Sequence, residues 1–471
     1  MKLHFSIFFL ALIACVGCKK DSNASYAYFG GEIINAVDDY IILSKDNTVI
    51  DTIKLDGNNR FIYKIKKLQT GFHTFRHGAE IQIVLLEPHD SIMFRLNTYE
   101  FDESLVFTGI GAKKNNYFIE EYLQNKTEQK RIFKYCQLDS KIFSNRIDSI
   151  RAHKNQKLNK FQKKHSPSDL FISIAQANID YNYYTRKEIY PFIHYGKNKS
   201  ELIKSLPKDF YAYRKNADYK NDFNKSDFVH NNFIKSNLNN LALEKHIKHN
   251  EAKNFSRKSI CFNIDKLDLI DSLIKTPAIK NKMLFKSTYD YLSKNENVKN
   301  NEAIVNSFLQ KSTNEKNNTK IKSLVLILDQ LKTGNTFPDI TVFDLKNKQT
   351  EINNIVKKPT AVYFWSHNFY NHFKDSHKKV KELRNKYPEI DFIAINIDNK
   401  KPDTWLTSIQ NNRFSLNKEY RFTEPKKASK TLAIYPMTKV FVIDKDKKIV
   451  HSNTNLFTLK FEEQLLGLIS K

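Results

Sequence analysis

The sequence predicts a multidomain α+β protein made of three unlike segments. These are an N-terminal antiparallel β-sandwich or barrel-like domain, a central all-α segment, and a C-terminal α/β domain with a mixed central sheet. Three observations carry this reading. Short β-rich runs split by turn residues fill positions 26–110. Glycine nearly vanishes from 112 to 330, where only Gly196 occurs, and apolar residues recur there at helical spacing. After residue 331 a strand–helix–strand order returns, followed by a hairpin and a last helix. A length of 471 residues itself favours two or three domains.

Residues 1–17 read as a secretory signal peptide: one Lys, a run of about 12 apolar residues, then small residues. Such a run is too short for a durable membrane span. The ending Cys15-Val16-Gly17-Cys18 resembles a bacterial lipobox, although Cys15 stands where Leu is usual. The resemblance implies cleavage after Gly17 and acylation of Cys18, with 18–25 as a polar tether. The expected location is the cell envelope, most naturally the outer membrane, with membrane lipid as a partner through Cys18. Cleavage by an ordinary signal peptidase nearby is the alternative. No later segment is apolar for 18 residues, so no other span is expected.

In the first β-rich segment, YIILSKDNTVIDTIKLDGNNRFIYKI, EIQIVLL and DSIMFRL are separated by Asp56-Gly57-Asn58-Asn59, Thr70-Gly71 and Pro88-His89-Asp90. Strands at this spacing, punctuated by Gly, Asn and Asp, argue for a sandwich or small barrel over 26–110. Segments such as YFIEEYLQ, LDLIDSLI and IKSLVLILDQL place the helical part at 111–330. The cluster Thr333-Gly334-Asn335-Thr336-Phe337-Pro338-Asp339 opens the last domain, 331–471. There DITVFDL and KQTEINNI form a hairpin, and TAVYFWS and DFIAINID are buried strands. HFKDSHKKVKELRNKY is a helix stopped by Pro388, and TKVFVID pairs with KIVHSN before the amphipathic LKFEEQLLGLI.

The net charge of +26 is uneven: −3 over 18–110, +18 over 111–330 and +10 over 331–471. The lysines are interspersed with Asn and Glu, which reads as a solvated surface, and no nucleic-acid partner is expected of an exported chain. Of four cysteines, only Cys136 and Cys261 lie beyond Cys18. They are 125 residues apart, without Cys-x-x-Cys or metal-ligand spacing, and are either two separate thiols or one disulfide.

The pieces NTFPDITVFDL, PTAVYFW, DFIAINID and IYPMTKVFVIDKDKKIV resemble a thioredoxin-like domain of the TlpA/ResA type. The resemblance covers about 337–470, and a lipoprotein of this layout resembles an arrangement common in Bacteroidetes. The family's turn runs Phe-Trp-x-x-Trp-Cys-x-x-Cys. Phe364 and Trp365 match its start, Asn368 replaces the second Trp, and Phe369 and His372 stand at the two thiol positions. The family's cis-proline corresponds to Pro436. Disulfide exchange needs a low-pKa thiolate at a helix N-terminus and a second thiol to resolve the intermediate. Residues 331–471 contain no cysteine, so dithiol exchange and peroxidase chemistry are excluded for this chain acting alone.

His367, His372 and His377 are each five apart, which on a helix turns successive side chains by about 140°, so they do not converge on one metal. Exposed helix histidines are expected, and no metal or cofactor is implied. No G-x-S-x-G, H-E-x-x-H, P-loop or Rossmann pattern occurs. What remains is binding. Trp365, Phe369, Tyr370, Tyr435 and Met437 are expected to surround the family's peptide cleft, either as a surface for an envelope protein, peptide or small ligand, or as filling for the vacated site. The alternative is an oxidoreductase component working with a partner's cysteine, or a weak histidine-based metal site.

Overall fold

The computed structural model describes residues 25–46, 48–78, 80–196, 198–216, 219, 228–249, 255–295, 301–398 and 402–469. The signal segment, Cys18 and the tether up to residue 24 lie outside them. The fold is mixed α/β with several sheets, and it divides into two compact units. One comprises Met1–Arg186 with Asp222–Asn231, the other Lys187–Asn221 with Asn232–Lys471. The helical stretch expected over 111–330 therefore contributes residues to both. Among the described residues no helix is long and apolar enough to cross a membrane.

The first unit begins with β1 Ala27–Ile34, β2 Tyr40–Lys45, β3 Thr48–Lys54, β4 Arg60–Ile65, β5 Gly71–His77, β6 Glu80–Leu86, β7 Ser91–Asn97, a one-turn α1 Phe101–Ser104, and β8 Val106–Ile110. They form two four-stranded sheets, ordered β4-β1-β7-β8 and β3-β2-β5-β6. Alternate residues of both sheets meet in one core, with Phe29, Ile41, Leu43, Phe75, Val84, Ile92 and Phe94 at 3% exposure or less. The expected all-antiparallel pairing needs one correction: β1 runs parallel to β7, with Phe29 opposite Ile92. These strands are far apart in the chain, so no hairpin forces them to run in opposite directions.

Next come α2 Ala112–Tyr135, α3 Ser140–His165 and α4 Asp169–Ile193. Gly111, at φ 90°, starts α2, and a Cβ there would lie 2.3 Å from Asp90 Oδ1. The same Asp90 accepts a 2.7 Å hydrogen bond from the buried Lys114, which also reaches Glu87 at 2.6 Å. Lys154, 2% exposed, donates to Glu121 at 2.9 Å, and Arg186 donates to Glu128 at 2.6 Å, tying α2 to α3 and α4.

The second unit contains α5 Lys199–Ser205, most of α6 Phe228–His249, α7 Ile260–Leu273, α8 Pro277–Lys294, α9 Asn301–Lys311 and α10 Glu315–Gln330. Its helical part is organised on Glu188, which is fully buried. That carboxylate accepts from Arg214 Nη2 (2.7 Å), Tyr213 (2.8 Å), Asn237 (2.7 Å) and Asn240 (2.7 Å).

After α10 come β9 Thr341–Phe343, β10 Gln349–Glu351, α11 Ile352–Ile355, β11 Thr360–Trp365, α12 Tyr370–Lys386, β12 Asp391–Asn396, α13 Pro402–Asn411, β13 Glu419–Phe422, α14 Pro425–Thr431, β14 Val440–Ile443, β15 Ile449–Thr454 and α15 Leu459–Ile469. The sheet is ordered β10-β9-β13-β12-β11-β14-β15. Its middle strands β13, β12 and β11 are parallel, and β14 joins β11 antiparallel. This is the mixed sheet the resemblance implies, with β13 as a strand the sequence reading did not assign. Every residue of β11 is buried, as a strand covered on both faces requires. The β14–β15 turn is closed by Asp444 Oδ1, which accepts from the backbone N–H of Asp446 and Lys448 at 2.9 and 2.8 Å.

Candidate functional site

Antiparallel pairing puts Tyr363 of β11 opposite Val440 of β14. The turn that leaves β11 after Trp365 and the loop that enters β14 through Pro436 therefore emerge at the same end of the sheet. The Tyr435–Pro436 peptide bond is cis.

The turn is held by Asp398. Ser366 Oγ donates to its Oδ1 at 2.5 Å, while the His367 backbone N–H (3.0 Å) and Asn396 Nδ2 (2.9 Å) donate to Oδ2. His367 Nδ1 lies 2.7 Å from that same oxygen. Burial opposes the Asp398 charge, but the contacts from His367 and Ser366 outweigh it and hold the carboxyl below its ordinary range. Ser366 thus donates its hydroxyl proton to a carboxylate.

A single 3₁₀ turn, His367–Phe369, leads into α12. Phe369 and Tyr370 stand on its outer side, 55% and 51% exposed. The helix's inner face carries Phe373, Ser376 and His377 into the core. Trp365 is fully buried, stacked on Phe373 at 4.5 Å. Of the two roles left open for Trp365, a surface or filling, its burial agrees with filling. A strand covered on both faces leaves no outward position for its last side chain.

The expectation of exposed histidines is also corrected, because the three rings have separate partners. His367 faces Asp398. His372 is half-buried, edge-on to Phe457 at 6.1 Å. Burial and the nearby His377 hold its pKa below the ordinary histidine value. His377 is 6% exposed, stacked on Phe414 at 4.9 Å, with Nε2 3.0 Å from Glu419 Oε1. Its Nδ1 lies 2.8 Å from the carbonyl of Phe373, an oxygen that only accepts, so Nδ1 carries a proton. The contact at Nε2 therefore needs a second proton between imidazole and carboxyl. Trp365 Nε1 donates to the other oxygen of Glu419 at 3.2 Å, which favours the carboxylate. The arrangement is an imidazolium–carboxylate pair in the core directly behind the turn.

The loop before β14 is engaged as well. Tyr435 donates from its hydroxyl to Asp290 Oδ1 of α8 at 2.9 Å, and its ring meets Tyr289 edge-on at 5.2 Å. Burial and the Asp290 charge push its pKa up to about 12. Asn453 of β15 donates to the Ser293 carbonyl of the same helix at 2.8 Å. Pro436 and Met437 are half-buried. Behind the loop, Lys439 is 3% exposed and donates to the carbonyls of Leu432 (2.9 Å) and Ala433 (3.2 Å).

Sequence reasoning missed Asp398, Glu419 and Asp290, whose partners Ser366, His367, Trp365, His377 and Tyr435 lie 31 or more residues away. Elsewhere, an open groove of about 1180 Å³ lies on the N-terminal domain, lined by Glu32, Arg60, Ile62, Met93, Arg95 and Val106 among others. Cys136 and Cys261 are not joined in a disulfide.

No known protein family and no curated protein matches the chain. Among solved structures, the thioredoxin domain of a thiol-disulfide oxidoreductase from Bacteroides vulgatus is similar at 18% identity and TM-score 0.25, over 30% of this chain and 96% of that one. A thiol:disulfide interchange protein from a Bacteroides species is similar at 18% identity and TM-score 0.23, over 26% and 80%. A thioredoxin-like protein from Bacteroides caccae is similar at 10% identity and TM-score 0.33, over 60% and 92%.

Proposed function

We propose that this chain is a lipid-anchored cell-envelope protein, held through acylated Cys18, whose thioredoxin-like domain binds an extended polypeptide and does not exchange disulfides. One observation carries the reading. At the turn where the resemblance puts two thiols, two aromatic rings, Phe369 and Tyr370, stand more than half exposed on a buried base. The base is built from Trp365, Phe373, His377 and Glu419, which fill the interior behind the turn. The exposed rings supply apolar area for a partner, and the buried set keeps them in place. Peptide chemistry suits this end of the sheet, because the half-buried Met437 and the loop at Pro436 leave from the same edge.

Selection of cysteine-free peptides on the mature chain tests the proposal. Loss of a ring removes about 1.5–3 kcal/mol of apolar burial, so Phe369→Ser with Tyr370→Ser is expected to weaken the selected peptides at least about tenfold. Replacing the 83% exposed Tyr99 is expected to leave affinity unchanged. Equal binding by wild type and the double variant contradicts the assignment.

A further inference from the structure

A second cluster of chemically able side chains lies in the helical part of the second unit, on α6 and α7. His246 and His249 are three residues apart in the last turn of α6, and Cys261 and Asp265 are four apart in the first turns of α7. Both spacings put their pair on one helix face. One ligand atom from each of the four lies within 4.8 Å of the others. His249 Nε2 is 2.7 Å from Asp265 Oδ2, and Cys261 Sγ is 3.4 Å from His249 Nδ1. His246 and Asp265 are buried, 3% and 5% exposed, while Cys261 is partly buried and His249 is open to solvent, which leaves an entry side.

The surroundings orient the four groups. Lys245 holds the other oxygen of Asp265, Oδ1, at 3.1 Å, which leaves Oδ2 turned toward His249. Asn263 donates to the carbonyls of Arg257 (2.9 Å) and Ser259 (2.8 Å), fixing the start of α7 and with it Cys261. The His246 ring sits edge-on to both Phe255 and Phe262, at 6.0 and 6.3 Å. Two imidazoles, a thiolate and a carboxylate carry two negative charges together, the charge that a divalent ion cancels.

We propose that His246, His249, Cys261 and Asp265 form a four-ligand Zn²⁺ site that staples the end of α6 to the start of α7. A soft thiolate with two imidazoles selects zinc over magnesium or calcium, and four protein ligands leave no open position, so the role is structural. On binding, the metal takes the place of the proton between His249 and Asp265 and displaces the thiol proton of Cys261.

The test uses the full chain without a polyhistidine tag. After exposure to ZnCl₂ and gel filtration, elemental analysis is expected to find one zinc per chain. Replacement by Co²⁺ is expected to give a sulfur-to-cobalt charge-transfer band and the intense visible bands of a tetrahedral ion. Cys261→Ser should abolish the charge-transfer band while Cys136→Ser keeps it. His249→Ala, at an exposed position where folding survives, should drop zinc retention to background and remove the chelator sensitivity of the melting midpoint. Absence of retained zinc, a cobalt spectrum without a thiolate band, or a band that survives Cys261→Ser would overturn the proposal.

Discussion

His377 Nε2 lies 3.0 Å from Glu419 Oε1 in the core of the C-terminal domain, where both residues are more than nine-tenths buried. Because Nδ1 is committed to the Phe373 carbonyl, the pair is held together by a shared proton. Trp365 completes it from the strand that leads into the turn. The room behind the turn that follows β11 is thus occupied by a satisfied polar cluster, and the surface above it is left to Phe369 and Tyr370.

Removing one member of this pair strands a charge in the core, which costs about 3–5 kcal/mol. Glu419→Ala and His377→Ala are each expected to destabilise by that amount in urea unfolding. The double change to Leu should cost less than the sum, since no charge is then left alone. A cost for Glu419→Ala under about 1 kcal/mol would contradict a charged pair.

Glu188 predicts a similar loss in the helical part. Its carboxylate accepts from Arg214, Tyr213, Asn237 and Asn240, so Glu188→Leu removes a charged acceptor from all four donors at once. A loss of about 3–5 kcal/mol is expected, read by chemical denaturation.

Lys439 makes stability depend on pH. Burial lowers its pKa to about 7, while the unfolded chain keeps the lysine proton up to about 10.4. Between these values the unfolded state binds more protons, so stability rises with pH across that window and this contribution is absent below it. Unfolding midpoints measured between the two values should climb more steeply for wild type than for Lys439→Met. Parallel profiles would contradict the assignment.

The proposed lipid anchor rests on Cys18. With Cys18→Ala, the chain is expected to leave the membrane fraction of the envelope and lose metabolic labelling by fatty acid. Unchanged membrane association would contradict anchoring through that residue.

Much of the C-terminal domain is legible in the sequence because its strands are continuous apolar runs. TAVYFW reads as buried on both faces, and it is. β13 is not legible, because Glu419–Phe422 is short and charged and is drawn into the sheet only by β12 and β9 on its two sides. Since β13 carries Glu419, its partner His377 reads as one more polar residue of an exposed helix. Whether Trp365 lines a surface or fills the interior is left open in the sequence for the same reason: its hydrogen-bond acceptor lies 54 residues away. The direction of β1 against β7 is likewise set by a chain excursion that no local pattern records. The four groups on α6 and α7 show helical spacing in each pair, but what brings the two pairs together is tertiary packing.

The reading of the domain as a binding surface without redox activity is tested most directly by reduction of insulin with dithiothreitol in the presence of the mature chain. The account predicts precipitation at the rate of dithiothreitol alone. It also predicts acceleration once Phe369→Cys and His372→Cys are introduced together, because the scaffold then presents two thiols at the start of α12. Acceleration by the unaltered chain, lost on replacing Cys136 or Cys261, would contradict it.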